Sequence, residues 1–427
     1  MEKIVFEQLN ETLYHETLEN GLEVYIVPKQ GFNKTYATFT TKYGSIDNHF
    51  IPLGESVPIK VPDGIAHFLE HKMFEDEEGD VFQLFSKQGA SANAFTSFTR
   101  TAYLFSSTSD VDKNIETLLD FVQHPYFTEE SVEKEKGIIG QEITMYDDNP
   151  DWRVYFGIIE NMYKNHPVKI DIAGTIPSID KITKDLLYQS YETFYHPKNM
   201  VLFVIGPIDP NETFELVQAN QSKKTFKEME NIKRIFEDEP AAVAKKKETL
   251  KMSVHTPKCL VGFKEKNPNR QGEELLKHEL SINIILDIML GQSSNNYEEL
   301  YNEGLIDDSF SFDYSAEKGF GFSIIGGDTK DPDMLVSRLQ QMIQSFLSTP
   351  LDEEVFRRSI KKKIGAFMRS LNSPEFIANQ FTRYQFNNMN LFNVVETLEG
   401  LSIQQLEQTM KEHFDLEMFT VCQVLPK

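Results

Sequence analysis

The residues with the most chemical content lie in one short run, His67-Phe68-Leu69-Glu70-His71. Residues 63–74 read as a helix, with Asp63 as the expected N-cap. Residues four apart on a helix differ by only about 40° around its axis, so His67 and His71 leave the same face. Two imidazoles so placed can grip one zinc ion. Glu70 lies between them in angle and can take a proton from a water held beside the metal. The order H-x-x-E-H reverses the commoner H-E-x-x-H. With ten histidines in 427 residues, chance supplies roughly 0.02 such runs per chain. The bland alternative is a pair of surface histidines on a solvated helix.

A hydrolytic zinc needs three protein ligands and one open position. A second helix, expected over 129–146, offers Glu133, Glu135 and Glu142. Glu135 and Glu142 stand two turns apart, about 10 Å along the axis, so one can ligate while the other lies nearby. Glu142 interrupts an apolar stretch with Ile138, Ile139, Ile143 and Met145. A lone carboxylate buried there would be costly, and a metal would resolve that cost. Glu135 sits in Glu133-Lys134-Glu135-Lys136, which reads equally as a solvated face with i,i+3 and i,i+4 pairs.

The elements that must hold these residues alternate between strand and helix. Strands are expected at 21–27 and 35–41, and extended chain over 91–108 broken near Thr99-Arg100. Helices are expected at 110–123, 152–163 and 184–195, then a buried strand at 200–205 stopped by Gly206-Pro207. Residues 221–250 change composition. Lys223-Lys224 and Lys245-Lys246-Lys247 flank Glu237-Asp238-Glu239 with little apolar content, the pattern of a linker. The alternation then restarts, with strands at 259–263, 309–314, 320–326 and 419–425 and helices at 275–290, 297–302, 331–347 and 353–369. The expected division is a domain at 1–220, a linker at 221–250 and a second domain at 251–427, the two domains sharing one β/α order. Periodicity alone supports only mixed α and β structure.

Composition narrows the function. Lys+Arg 43 against Asp+Glu 66 leaves a net charge of −23, which argues against a nucleic-acid backbone or an anionic membrane as main partner. The two cysteines, Cys259 and Cys422, make neither a disulfide framework nor a zinc cluster, and their scarcity suits a reducing compartment. There is no apolar run of membrane-spanning length and no visible signal peptide, so a soluble cytoplasmic protein is expected.

The segment Gly64-Ile65-Ala66-His67-Phe68-Leu69-Glu70-His71-Lys72-Met73-Phe74 resembles the signature helix of the pitrilysin/insulin-degrading enzyme/mitochondrial processing peptidase family, in its bacterial single-length form. The resemblance implies His67 and His71 as zinc ligands and Glu70 as general base. It implies Glu142 as third ligand, 71 residues after His71, and Glu135, seven residues earlier, as a second functional glutamate. Gly89-Ala90-Ser91-Ala92-Asn93-Ala94-Phe95-Thr96 resembles the family strand whose edge receives substrate as an added β-strand, which implies Asn93 and Ala94 as substrate-binding residues. Tyr195-His196-Pro197-Lys198-Asn199-Met200-Val201 extends the likeness. The implied fold is α+β, with two homologous halves, each a largely antiparallel sheet with helices on one face. The implied activity is that of a zinc-dependent endopeptidase with one Zn2+ per chain, cleaving peptides inside a clam-shell chamber.

One departure from the family matters. Its second half carries an Arg and a Tyr, seven apart, that bind substrate near the scissile carbonyl. Aligned on Leu290-Gly291-Gln292-Ser293-Ser294 and Gly304-Leu305, those positions fall on Leu300 and Asp307. Leucine has no donor, and an ionised aspartate only accepts. Arg383-Tyr384 are adjacent, out of that frame, and read as ordinary helix residues. The chain is therefore expected to supply the zinc half of a split site, with a homologous partner subunit supplying Arg and Tyr. A homodimer would lack both groups on both sides. The competing reading is a catalytically silent peptide-binding or scaffolding subunit of the same fold. A zinc-stabilised structural protein fits less well, because structural sites are usually closed by four protein ligands.

Overall fold

The strands expected at 21–27 and 35–41 form, and they join a sheet whose other members come from far along the chain. The structure, a computed structural model, describes residues 1–77, 79–229 and 231–427. The first half contains strands β1 (Glu2–Phe6), β2 (Glu11–Thr17), β3 (Glu23–Pro28) and β4 (Thr35–Thr41), then helix α1 (Ile65–Met73). Strands β5 (Ala90–Thr96) and β6 (Thr101–Ser107) follow, then helices α2 (Val111–Val122), α3 (Glu129–Asp147) and α4 (Pro150–Met162), and strand β7 (Met200–Gly206). The second half contains β8 (Lys247–Met252), β9 (Lys258–Lys264), helix α5 (Gly272–Leu290), β10 (Ser311–Glu317) and β11 (Phe320–Asp328). Helices α6 (Pro374–Phe386) and α7 (Ile403–His413) and strand β12 (Phe419–Pro426) complete it. Among the described residues, no helix is long and apolar enough to cross a membrane.

The two largest sheets among the described residues repeat one topology. The first runs β1-β2-β3-β7-β4-β6-β5, and the second β8-β12-β9-β11-β10. Setting aside the β1-β2 hairpin, each sheet places its strands in the order first, last, second, fourth, third. In each, the first and last strands pair parallel, and the remaining ladders are antiparallel. The α+β fold in two homologous halves is thus visible in the strand order itself.

The compact units nevertheless do not follow the halves of the sequence. One comprises Met1–Ile143, Ile170–Phe236 and Ser370–Phe386; the other comprises Thr144–Lys169, Glu237–Arg369 and Asn387–Lys427. Each unit takes one helix from the opposite half. Within the first, α6 packs on β4 and β7; within the second, α4 packs on β8, β9 and β12. Within the first unit, Gln385 on α6 donates from Nε2 to the Tyr25 hydroxyl at 2.7 Å, and the Lys42 ammonium donates to the Phe386 carbonyl at 2.6 Å.

Helix α1 starts differently from the sequence expectation. Its N-cap is Gly64, at φ 89°, and not Asp63. Only glycine adopts this left-handed geometry without strain, and a Cβ at Gly64 would collide with the Ala173 carbonyl. The Asp63 carboxylate instead accepts from Asn48 Nδ2 at 2.8 Å.

The stretch 221–250 is also more than a connection. Within the first unit, Lys233–Arg234 pairs with Phe50–Ile51 as a short strand, and Arg234 Nε donates to buried Asp47 at 2.6 Å. Within the second unit, Glu239 accepts from Lys264 Nζ at 2.6 Å and from the backbone N–H groups of Lys164, Asn165 and His166 at 2.6–2.9 Å. Burial opposes charge on Glu239, but Lys264 and these three amides outweigh it and lower its pKa from 4.5 to about 2. A depressed carboxylate stabilises the fold above its unfolded pKa and loses that contribution as pH falls through the folded value. Glu239→Gln should therefore lower the thermal midpoint at pH 7 by roughly 2–8 °C. The deficit should shrink as pH falls from about 4.5 towards 2. Scanning fluorimetry of both proteins across this range checks it, and a deficit independent of pH would contradict the assignment.

Candidate metal centre

Helix α1 is buried almost all round: of its nine residues, all but His71 are buried. His67 and His71 leave one face, with ring centroids 4.6 Å apart. Helix α3 brings Glu142 against them, its Oε2 lying 3.7 Å from Nε2 of His67 and 3.7 Å from Nε2 of His71. One ligand atom from each of the three residues lies within 4.8 Å of the other two. Ligands around a tetrahedral zinc with bonds of about 2.0–2.1 Å stand roughly 3.3 Å apart, so three such atoms can hold the ion and leave a fourth position open. The second carboxylate of α3 takes a different place. Glu135 Oε1 lies 3.1 Å from Nδ1 of His71, the nitrogen not facing Glu142. A carboxylate there fixes the ring's orientation and raises its strength as a ligand.

In a second group, Glu265, His278 and His413, one ligand atom from each also lies within 4.8 Å of the other two, yet its chemistry differs. Glu265 Oε2 accepts from His278 Nε2 at 2.9 Å, His413 Nδ1 at 3.1 Å and the Tyr314 hydroxyl at 3.1 Å. Its Oε1 accepts from Arg270 Nη1 at 3.0 Å and from the Asn267 amide at 3.3 Å. Burial opposes charge on this carboxylate, but the two histidines hold its pKa far below the usual range. These are hydrogen-bond distances, and the charge is already balanced by Arg270. The group is a buried anchor for the second sheet. At the His67/His71/Glu142 group, by contrast, the separations of 3.7 Å exceed hydrogen-bonding range.

The two imidazoles of α1 are shifted in opposite directions. Burial, then the neighbouring His71, lowers the pKa of His67 to about 4 against the pull of Glu142 and Glu135. That imidazole is neutral at pH 7, the form that ligates. Burial also works against charge on His71, but Glu135, Glu70 and Glu142 together outweigh it and raise its pKa. Glu70 is 8% exposed. Burial raises its pKa, and a 2.6 Å hydrogen bond from Thr96 Oγ1 to its Oε2 acts the other way. Lys72, 1% exposed, pairs with Glu75.

The expected substrate residues sit on the strand next to this helix. Strand β5 is the outermost of its sheet and packs against α1. Asn93 on it is exposed, and its side-chain oxygen accepts from the Ala94 amide at 2.9 Å. The Asn side chain thereby covers one main-chain donor of an otherwise open edge. The two substituted positions of the second half do structural work. Leu300 is 0% exposed. Asp307 accepts from the backbone N–H and hydroxyl of Ser309 at 2.9 and 2.6 Å, closing a turn. Arg383 lies in α6 with its guanidinium 5.4 Å from the Tyr384 ring. Thr96 is absent from the expected residues; a threonine ending a strand carries no local signal of a partner 26 residues away.

Comparison with known proteins places this geometry in context. Residues 59–176 match the family described as Insulinase (Peptidase family M16), and residues 181–363 match Peptidase M16 inactive domain. The chain is 61% identical over 424 residues to the uncharacterized zinc protease YmfH of Bacillus subtilis, covering 99% of each chain. It is 24% identical to the zinc protease PqqE of Helicobacter pylori, over 95% of this chain and 91% of that one. The crystal structure of an M16-like peptidase from Alicyclobacillus acidocaldarius superposes with a TM-score of 0.94 at 40% identity, covering 98% of this chain and 99% of that one.

Metal analysis of variants checks the site. His67→Ala, His71→Ala and Glu142→Ala should each fall from about one zinc per chain to near none after dialysis against a weak chelator. Glu135→Gln should still bind zinc, with affinity weakened about 10- to 100-fold. Full zinc retention in His71→Ala would contradict the ligand set.

Proposed function

The chain belongs to the insulinase family of peptidases, M16, and on that premise we propose that it is a zinc-dependent endopeptidase and the zinc-bearing subunit of a two-chain enzyme. The observation that carries the reading is the convergence of His67, His71 and Glu142 beside a buried carboxylate, Glu70, that is one residue from a ligand and held by a hydroxyl. When bound, zinc would lower the pKa of a water and polarise the scissile carbonyl. Glu70 accepts the proton of the attacking water and later delivers it to the leaving amine. Its buried position raises its affinity for that proton. Glu135 orients His71.

The substrate binds as an added strand along β5. Asn93 then releases the Ala94 amide to a substrate carbonyl and frees its own carboxamide for the peptide backbone. The homologous domains are proposed as 1–220 and 251–427, joined through 221–250, and in the assembled enzyme they enclose a clam-shell chamber in the cytoplasm. Leu300 is buried and Asp307 closes a turn, so neither can donate to the substrate. A homologous partner bearing Arg and Tyr supplies those donors, and a homodimer would be weak or inactive. The same two residues favour one second reading, a catalytically silent peptide-binding or scaffolding subunit.

Zinc content and cleavage of a quenched peptide library, by the chain alone and mixed with an Arg/Tyr-bearing homologue, decide between the two. The expected result is one zinc per chain and cleavage in the mixture. Glu70→Gln should keep its zinc and lose about 100- to 10,000-fold in kcat. Zinc without cleavage in either sample would favour the silent subunit, and full activity in Glu70→Gln would overturn the mechanism.

A further inference from the structure

The buried base is positioned from the substrate strand. Thr96 is the last residue of β5 and stands opposite Thr101 of β6. The turn between them is closed by the Ser97 amide on the Arg100 carbonyl at 2.8 Å. It is tied to the preceding loop by the Ser45 and Ile46 amides, which donate to the Ser97 and Phe98 carbonyls at 3.0 and 3.1 Å. Thr96 is therefore fixed at both the backbone and the ladder. Its hydroxyl has two polar neighbours, Glu70 Oε2 at 2.6 Å and Thr101 Oγ1 at 3.3 Å. Thr101 donates its own proton to the buried Tyr43 carbonyl at 2.9 Å. An ionised carboxylate can only accept, so the Thr96 proton points at Glu70. A β-branched side chain has few χ1 choices, which keeps it there.

We infer that Thr96 is a positioning residue for the peptidase reaction: it anchors Oε2 of Glu70 and leaves Oε1 as the oxygen that takes the proton. The inference rests on the peptidase reading above. It also means that the strand receiving the substrate carries the group that orients the base. A peptide seated along β5 is thereby registered against Glu70 through Thr96.

Two substitutions separate the hydroxyl from the methyl. Thr96→Val keeps the branched shape and removes the donor; Thr96→Ser keeps the donor and removes the methyl. In the active mixture, Thr96→Val should retain full zinc and a KM within about twofold, with kcat lowered about 10- to 100-fold, the usual range for a hydrogen bond to a charged group. Thr96→Ser should return kcat to within about threefold of wild type. A Thr96→Val kcat within twofold of wild type, or equal losses in both variants, would overturn the assignment. Crystal structures of zinc-loaded wild type and Thr96→Val give a readout that needs no turnover. The Glu70 carboxylate should leave its wild-type rotamer in the variant, and an unchanged carboxylate would overturn the inference. Wild-type cleavage by Glu70→Gln would mark failure of the peptidase reading instead, and the crystal comparison would still decide the role of Thr96.

Discussion

A helix buried on nearly every side must find a partner for each polar group it carries, and α1 carries four: His67, Glu70, His71 and Lys72. Burying an unpaired charge is too costly to tolerate. The surrounding structure answers for three of the four, while Nδ1 of His67 has no hydrogen-bond partner among the described residues. Glu70 receives the Thr96 hydroxyl, Lys72 pairs with Glu75, and His71 faces Glu135. Each contact constrains a different element. The first fixes the register of β5 against α1. The last fixes the depth of α3, and that depth presents Glu142, two turns further on, to both imidazoles.

The repeated strand order shows what each half has done with the same frame. In the first sheet the segment between the second and third strands of the repeat carries α1 with His67 and His71. In the second sheet the equivalent connection carries α5, which packs on β10 as α1 packs on β5. There the buried histidine, His278, turns to a carboxylate already saturated by donors. Leu300 and Asp307 follow the same logic, one committed to the core and the other to a turn. The second half thus commits His278 and Asp307 to holding its own sheet and turns, and on our proposal the chemistry falls to the first half and to a partner chain.

The exchange of helices explains why a compositional break is a poor guide to compact units here. Most described residues of 221–250 are polar and lie at least partly exposed, but Arg234 and Glu239 anchor this stretch to separate buried partners. A charged run reads as solvated in one dimension whether or not its partners wait elsewhere in the fold.

What the sequence by itself determined was local. Helical periodicity places His67 and His71 on one face, because the angle between positions four apart is set by backbone geometry alone. Alternation of side chains outlines β3 and a continuous apolar run outlines β7, whereas Ile138 and Met145, two of the apolar residues flanking Glu142, are exposed, so the stretch is only partly apolar in its surroundings. Elements whose burial comes from elsewhere were harder to read. Helix α6 belongs to the sheet of the opposite half, and nothing near Pro374 announces β4 and β7 as its neighbours. Only the tertiary structure distinguished Glu135 as the partner of His71, replaced Asp63 by Gly64 at the start of α1, and brought Thr96 to Glu70. These contacts join residues on different elements, so their distances depend on how helices and strands pack, which no local pattern encodes.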